Sequence, residues 1–141
     1  MLRKFFNKEK KNNLIDKNIL IISLLIHAAK IDENYSEPEK KIIIKAIMEL
    51  NKVGLDEAEK LLKVAEKKEE ESNQIVEFTK EVKKYSMEFR LKVIEIIWKI
   101  VYSDGTTDNY ETNLVRRICG LLYISDKDSG IIKTRIHGLS K

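Results

Sequence analysis

The stretch that decides the fold occurs twice: Ala29–Glu39 reads AKIDENYSEPE and Val101–Glu111 reads VYSDGTTDNYE. Residues 27–50 align with residues 99–122 without a gap. Each copy places an acidic loop after an apolar helical segment and before a helix-start signal. The sequence therefore predicts a duplicated trio of helices, and we expect a pseudo-twofold axis to relate the two halves.

Helix-start signals support the predicted duplication. Ser36-Glu37-Pro38-Glu39 is a capping box, with an N-cap serine, an early proline and a glutamate at the third helical position. Ser86 and Ser125 are placed to cap later helices, and Asp108 to cap the helix that carries Glu111. Apolar spacing is helical almost everywhere and no segment alternates with period two, so we predict an all-α bundle of about seven helices.

Four finer expectations follow from local composition. Asp56-Glu57-Ala58-Glu59 repeats the capping device and is expected to open a helix. The charged run Glu66–Glu71 is typical of a solvated helix end. Gly138 suits a left-handed helix stop. The Ile75–Tyr85 segment is expected to join the two halves as a further helix.

Composition and charge limit the classes of function. The 141 residues include 27 Lys+Arg and 23 Asp+Glu, a net charge of +4. Residues 1–16 carry five basic and two acidic residues, so the rest of the chain is only +1. A nucleic-acid-binding surface needs clustered cations, which argues against such a partner. We expect a basic leader over 1–16, either a solvated terminus or a contact with an anionic membrane, and a single domain over 17–138.

The single cysteine, Cys119, cannot form an internal disulfide, and two histidines beside it give no zinc-ligand set of the usual spacing. A reducing compartment is therefore expected. The apolar run at residues 19–29 is interrupted by Ser23 and His27 and is shorter than a membrane span. Together these features favour a cytoplasmic protein, with peripheral contact at the inner face of a membrane through the leader.

The acidic loops are the candidate site. Capping accounts for Ser36 with Glu39 and for Asp108 with Glu111, but it leaves the repeated aspartates Asp32 and Asp104 unexplained. Each follows the end of an apolar helical segment, where the helix dipole disfavours an anion.

Paired carboxylates would repel one another unless a cation offset the repulsion, so Asp32, Glu39, Asp104 and Glu111 are candidate ligands of Ca²⁺, Mg²⁺ or Mn²⁺. The Asp-to-Glu spacing of seven residues excludes an EF-hand loop. The alternative is that the acidic residues are helix caps and turn formers only.

The chain resembles the TerB-like tellurite-resistance proteins, a fold shared with the N-terminal domain of a membrane-anchored DnaJ-like protein. The resemblance extends from about Asn18 to Asp128 and rests on both acidic loops and on four short motifs: Gly54-Leu55-Asp56-Glu57-Ala58, Glu77-Phe78-Thr79, Ile97-Trp98 and Leu121-Leu122-Tyr123-Ile124. It implies a seven-helix fold of two related halves, and acidic loop positions at Asp32, Glu39, Asp104 and Glu111. The first loop departs from the family pattern, because Glu33 stands where a glycine is usual.

The resemblance further implies a metal-associated scaffold in stress responses such as tellurite resistance, with protein partners and without catalytic activity. The leading hypothesis is thus a non-enzymatic adaptor or sensor that binds a divalent cation. The alternative is a metal-independent protein–protein interaction domain, at the membrane surface if the leader binds there. An enzyme is disfavoured because Ser36 has no nearby histidine in sequence and Cys119 lies on an apolar helix stripe.

Overall fold

A computed structural model describes residues 18–30, 35–71, 75–103 and 109–140, without the side chains of residues 109–111, 139 and 140. Within these ranges the chain is helical and contains no strand, so the predicted all-α class is confirmed. The seven helices are α1 (residues 18–29), α2 (Glu37–Asn51), α3 (Leu55–Glu71), α4 (Val76–Val82), α5 (Met87–Val101), α6 (Asn109–Leu121) and α7 (Asp126–Ser140).

Serine caps fix the starts of several helices, as predicted. In the capping box of α2, the Ser36 hydroxyl accepts a hydrogen bond from the Glu39 amide, and the Glu39 carboxylate accepts one from the Ser36 amide. Ser86 accepts from the Phe89 amide at 3.2 Å at the start of α5. Each such cap stabilises its helix by about 1 kcal/mol.

Two of the finer expectations about helix ends are wrong. Helix α3 begins at Leu55, and the Gly54 carbonyl accepts from the Ala58 amide, so Asp56 lies in the first turn and not at the N-cap. Its charge still complements the positive end of the helix dipole. Helix α7 continues to Ser140 and includes Gly138. Burial of Ile136, 2% exposed, holds this last turn against the core and outweighs the low helix propensity of glycine.

The turns between the second and third helix of each half share a backbone device. Lys52 (φ 53°) follows α2 and Tyr123 (φ 57°) follows α6, and both are left-handed without being glycine. The next amide then reaches back five residues in both turns, from Val53 to the Met48 carbonyl and from Ile124 to the Cys119 carbonyl. This bond is the signature of a Schellman helix end. The internal repeat is therefore visible in hydrogen bonds as well as in sequence.

Helices α1 and α5 form the centre of the bundle. Leu24, Leu25 and Ile26 of α1 are completely buried, as are Ile94 and Ile97 of α5. Helix α5 packs against α2, α6 and α7, while α4, the joining helix, packs against α6. No helix in the described part of the chain is both long enough and apolar enough to span a membrane.

Candidate functional site

The structure tests only one of the four predicted ligands. Asp32 and Asp104 lie outside the described residues, and Glu111 belongs to α6 but its side chain is not described. The pairing of Asp32 with Glu39, and of Asp104 with Glu111, therefore stays a prediction. Among the described residues, no group of three or more His, Cys, Asp or Glu side chains is arranged to hold a metal ion.

Glu39 has the capping role that the sequence allowed as the alternative. It is 4% exposed, and its Oε1 accepts hydrogen bonds from the Ser36 amide at 3.0 Å and the Ser36 hydroxyl at 2.9 Å. These donors commit one carboxylate oxygen to the start of α2. Binding of a cation by Glu39 would thus have to use Oε2 or break the hydrogen bonds of the cap. The first loop is therefore a less favourable cation site than its sequence suggests.

Tyr35, which directly precedes the Ser36 cap, has both carboxylates and ammonium groups near its ring. Burial raises the pKa of its hydroxyl, and the nearby carboxylates, with Glu66 and then Glu39 the strongest, raise it further. The Lys40 ammonium is 4.8 Å from the ring centroid and that of Lys30 is 5.9 Å away. The hydroxyl is buried and has no hydrogen-bond partner within the described ranges.

Glu69 is the residue that sequence reasoning misjudged most. Its position in the Glu66–Glu71 run predicted solvation, yet it is 9% exposed and joins α3 to α1. The Lys30 ammonium donates to Oε2 at 2.8 Å, and His27 Nδ1 lies 3.3 Å from Oε1. A signal was present, because Glu69 continues the buried α3 stripe of Ala58, Leu62 and Ala65 at helical spacing. A buried carboxylate is tolerated there because cationic and hydrogen-bonding groups meet it.

The corresponding region of the second half is aromatic. The rings of Trp98 on α5 and of Tyr102, which directly follows α5, are stacked with centroids 5.9 Å apart, and the His137 ring of α7 lies 5.0 Å from Tyr102. The Trp98 indole donates to the Ser129 hydroxyl of α7 at 3.2 Å. We call Trp98, Tyr102 and His137 the aromatic ladder. Its middle member, Tyr102, precedes Asp104 by two residues in the sequence.

His137, the α7 member of the aromatic ladder, carries a buried polar atom. Its Nδ1 is buried, and no hydrogen-bond partner for it occurs among the residues the structure describes. Buried nitrogen atoms are normally paired, so this one is an exception within the described part of the chain. Sequence spacing alone did not identify His137, because its neighbours in the fold are distant in the chain.

Cys119 shows no sign of nucleophilic chemistry. The thiol is 1% exposed, and burial is the main effect that raises its pKa. Because the thiolate is the reactive form of cysteine, this environment favours an inert thiol in the core.

Comparison with known proteins identifies the family. A family model described as tellurite resistance protein TerB matches residues 18–134. Searches of curated proteins and of solved structures give no significant match. The family match covers most of the 141 residues and includes all seven helices in whole or in part. This chain therefore belongs to the TerB family of tellurite resistance proteins.

Proposed function

We propose that this chain is a non-enzymatic TerB module that binds a divalent cation through its acidic loops and acts as an adaptor or sensor in a stress response. The observation that carries the proposal is the repeated position of two aspartates. Helix α1 runs to residue 29 and α5 to Val101, so Asp32 and Asp104 each come three residues after a helix end.

A carboxylate at that position needs compensation. The carbonyl end of a helix disfavours a nearby anion by about 0.3–1 kcal/mol, and a second carboxylate from the next helix start would add repulsion. A bound cation supplies positive charge next to both groups. Asp104 and Glu111 would hold it in the second half, and Asp32 with Glu39 in the first. Oxygen ligands of this kind suit Ca²⁺, Mg²⁺ or Mn²⁺.

Such a site would connect the end of one helix to the start of the next without requiring a reaction. A change in cation occupancy would alter the loop at the end of each central helix, which is the behaviour expected of a sensor or an adaptor for protein partners. The buried thiol of Cys119 and the use of Ser36 and Ser86 as helix caps support a role without nucleophilic catalysis.

Isothermal titration of the 141-residue chain with MnCl₂ and with CaCl₂ tests the proposal. We expect saturable binding of at least one ion, and at least a tenfold loss of affinity in Asp104→Asn. Asp56→Asn is the matched control, because it removes an exposed carboxylate near a helix start outside the loops. If no ion binds at millimolar concentration, or if Asp104→Asn binds like the unmodified chain, the metal-independent interaction domain becomes the better account.

A further inference from the structure

We propose that the basic leader, residues 1–16, docks in cis into an apolar groove beside the start of α1, and that Phe5 and Phe6 are the side chains that enter it. The groove is formed by described residues of α1, α2, α3 and the start of α5, whereas residues 1–17 lie outside the described part of the chain. The proposal does not depend on cation binding at the acidic loops.

The apolar groove is open and has the size of a binding cleft. Its volume is about 430 Å³, within the range of roughly 300–1,000 Å³ that is usual for ligand sites. Ile21 and Ile22 of α1, both almost completely buried, contribute to its lining. Further lining comes from half-buried apolar side chains: Leu50, Val53, Leu61, Tyr85 and Phe89. Contiguous apolar surface of this kind marks a place where another segment or a ligand binds.

The leader is attached at the groove itself. Asn18 is the first residue of α1 and also part of the groove lining. Residues 7–17 separate Asn18 from Phe6, and a fully extended segment of that length spans about 40 Å. Attachment at this point gives the leader a local concentration on the order of millimolar, so a small apolar contact suffices for docking.

The chemistry of the leader complements that of the groove. Phe5 and Phe6 are adjacent aromatic residues in a segment with five basic and two acidic residues. Among the groove-lining residues the charged one is an exposed acid, Glu57. Aromatic rings that leave water for an apolar groove contribute most of the hydrophobic stabilisation, while the lysines of the leader can stay in solvent near the Glu57 carboxylate.

A second cavity near the start of α1 lacks this match. Its volume is about 550 Å³, and Ile19 and Leu20 contribute to its lining. Four of its seven lining residues are charged: Lys67, Lys68, Glu71 and Glu77. Docking of aromatic rings there would remove water from these charged groups, which costs free energy. The apolar groove is therefore the better site for the leader.

Paramagnetic broadening from a spin label beside Phe6 tests the contact in the ¹⁵N-labelled, full 141-residue chain. The label is attached to Asn7→Cys. We expect the amide signals of Val53 and Phe89 to lose at least half of their intensity, and those of α7, which contributes no residue to the groove lining, to keep theirs. Equal broadening of the two sets, or broadening of neither, overturns the proposal. Cys119 is 1% exposed and should stay unlabelled, which treatment of the unmodified chain with the same reagent checks.

A matched pair of variants locates the contact. Val53→Lys places a cation in the groove, so it should repel the basic leader and reduce the broadening at Phe89 at least fivefold. Val64→Lys makes the same change at the second cavity, where Val64 is 55% exposed, and should leave the broadening unchanged. Equal effects of the two variants contradict docking in the groove. If Val53→Lys does not fold, the double variant Phe5→Ser/Phe6→Ser decides, because persistent broadening at Phe89 without the two rings overturns the proposal.

Two other arrangements give different results. In an equimolar mixture of spin-labelled ¹⁴N chain and unlabelled ¹⁵N chain, docking in cis leaves the groove amides unchanged. Broadening as strong as within one chain would show that the leader of a second copy binds there, and the proposal would be wrong. It would also be wrong if the label left the groove amides unaffected while Phe5→Ser/Phe6→Ser abolished sedimentation with phosphatidylserine vesicles, because the leader would then serve as a membrane contact.

Discussion

The α1–α3 pair in the first half and the α5–α7 pair in the second occupy equivalent places but are joined by different chemistry. Glu69 of α3 meets Lys30 and His27 of the first half in a largely buried polar cluster. In the second half, the aromatic ladder and the indole hydrogen bond to Ser129 join α7 to α5. Duplication has therefore preserved the order of the helices while the contacts between the first and third helix of each half diverged.

The parts that stayed alike are features of the backbone. Both halves turn from the second to the third helix through a left-handed residue, Lys52 or Tyr123, followed by the same backward hydrogen bond. Such devices depend on local geometry and tolerate many side chains. Side chains that join the third helix of each half to the first are under no such constraint, so they are where the halves can diverge.

The largest effect is expected from Trp98→Ala. The indole is 3% exposed and connects α5 to α7, so its loss should reduce the free energy of unfolding by about 3–5 kcal/mol. Ile26 is completely buried at the equivalent position of the first half. Ile26→Ala should reduce the free energy of unfolding by about 2–5 kcal/mol. Urea unfolding followed by circular dichroism measures both. A loss below about 1 kcal/mol for Trp98→Ala would show that α7 is not part of the cooperative core.

The polar cluster of the first half is tested by Glu69→Gln. This variant removes the charge that pairs with Lys30 and His27 while keeping the side-chain size, and we expect a loss of about 1–2 kcal/mol. Glu70→Gln is the matched control, because Glu70 is 70% exposed and only 4.0 Å from the same ammonium. It should change stability by less than about 0.5 kcal/mol. Equal effects of the two variants would contradict a stabilising role for Glu69 and would favour the solvated position that its sequence suggested.

A smaller effect is expected at the capping box. Ser36→Ala removes the acceptor for the Glu39 amide and should cost about 1 kcal/mol. Since the same change frees Glu39 Oε1 from the Ser36 hydroxyl, it should also leave cation affinity unchanged or raise it. Thermal unfolding with and without Mn²⁺ measures both quantities. A loss of cation affinity in Ser36→Ala would mean that the cap positions Glu39 for ligation.

The smallest effect concerns the two left-handed turns. Lys52→Gly should stabilise the chain by about 0.5 kcal/mol, because glycine adopts φ 53° without steric cost but gains freedom in the unfolded state. Tyr123→Gly should stabilise the chain by less, because it also removes the hydroxyl that accepts a hydrogen bond from Lys83 at 2.8 Å. Chemical denaturation of both variants tests this order. A larger gain for Tyr123→Gly would show that its contact with Lys83 contributes nothing.

Local sequence predicted what local interactions determine. The Ser36 capping box, the apolar stripe of α5 and the repeat of helical trios were all readable from spacing and composition. The spacing of α3 could have indicated the burial of Glu69, but the partners of Glu69 and of His137 were not readable because they lie far away in the chain: Glu69 pairs across 39 and 42 positions with Lys30 and His27. Gly138 was misjudged for the same reason, since tertiary burial of Ile136 extends the helix past a residue that usually ends one.

The most direct test of cation binding at the repeated loops is an amide correlation spectrum of the ¹⁵N-labelled chain during titration with Mn²⁺. Paramagnetic broadening falls off steeply with distance, so bound Mn²⁺ should erase the signals of residues near Asp32 and Asp104 before those of α4. We predict two separate sets of broadened amides, one in each half, with the set near Asp104 lost at the lower Mn²⁺ concentration. Uniform weak broadening over the whole chain, or broadening confined to surface carboxylates such as Glu57, would contradict the account.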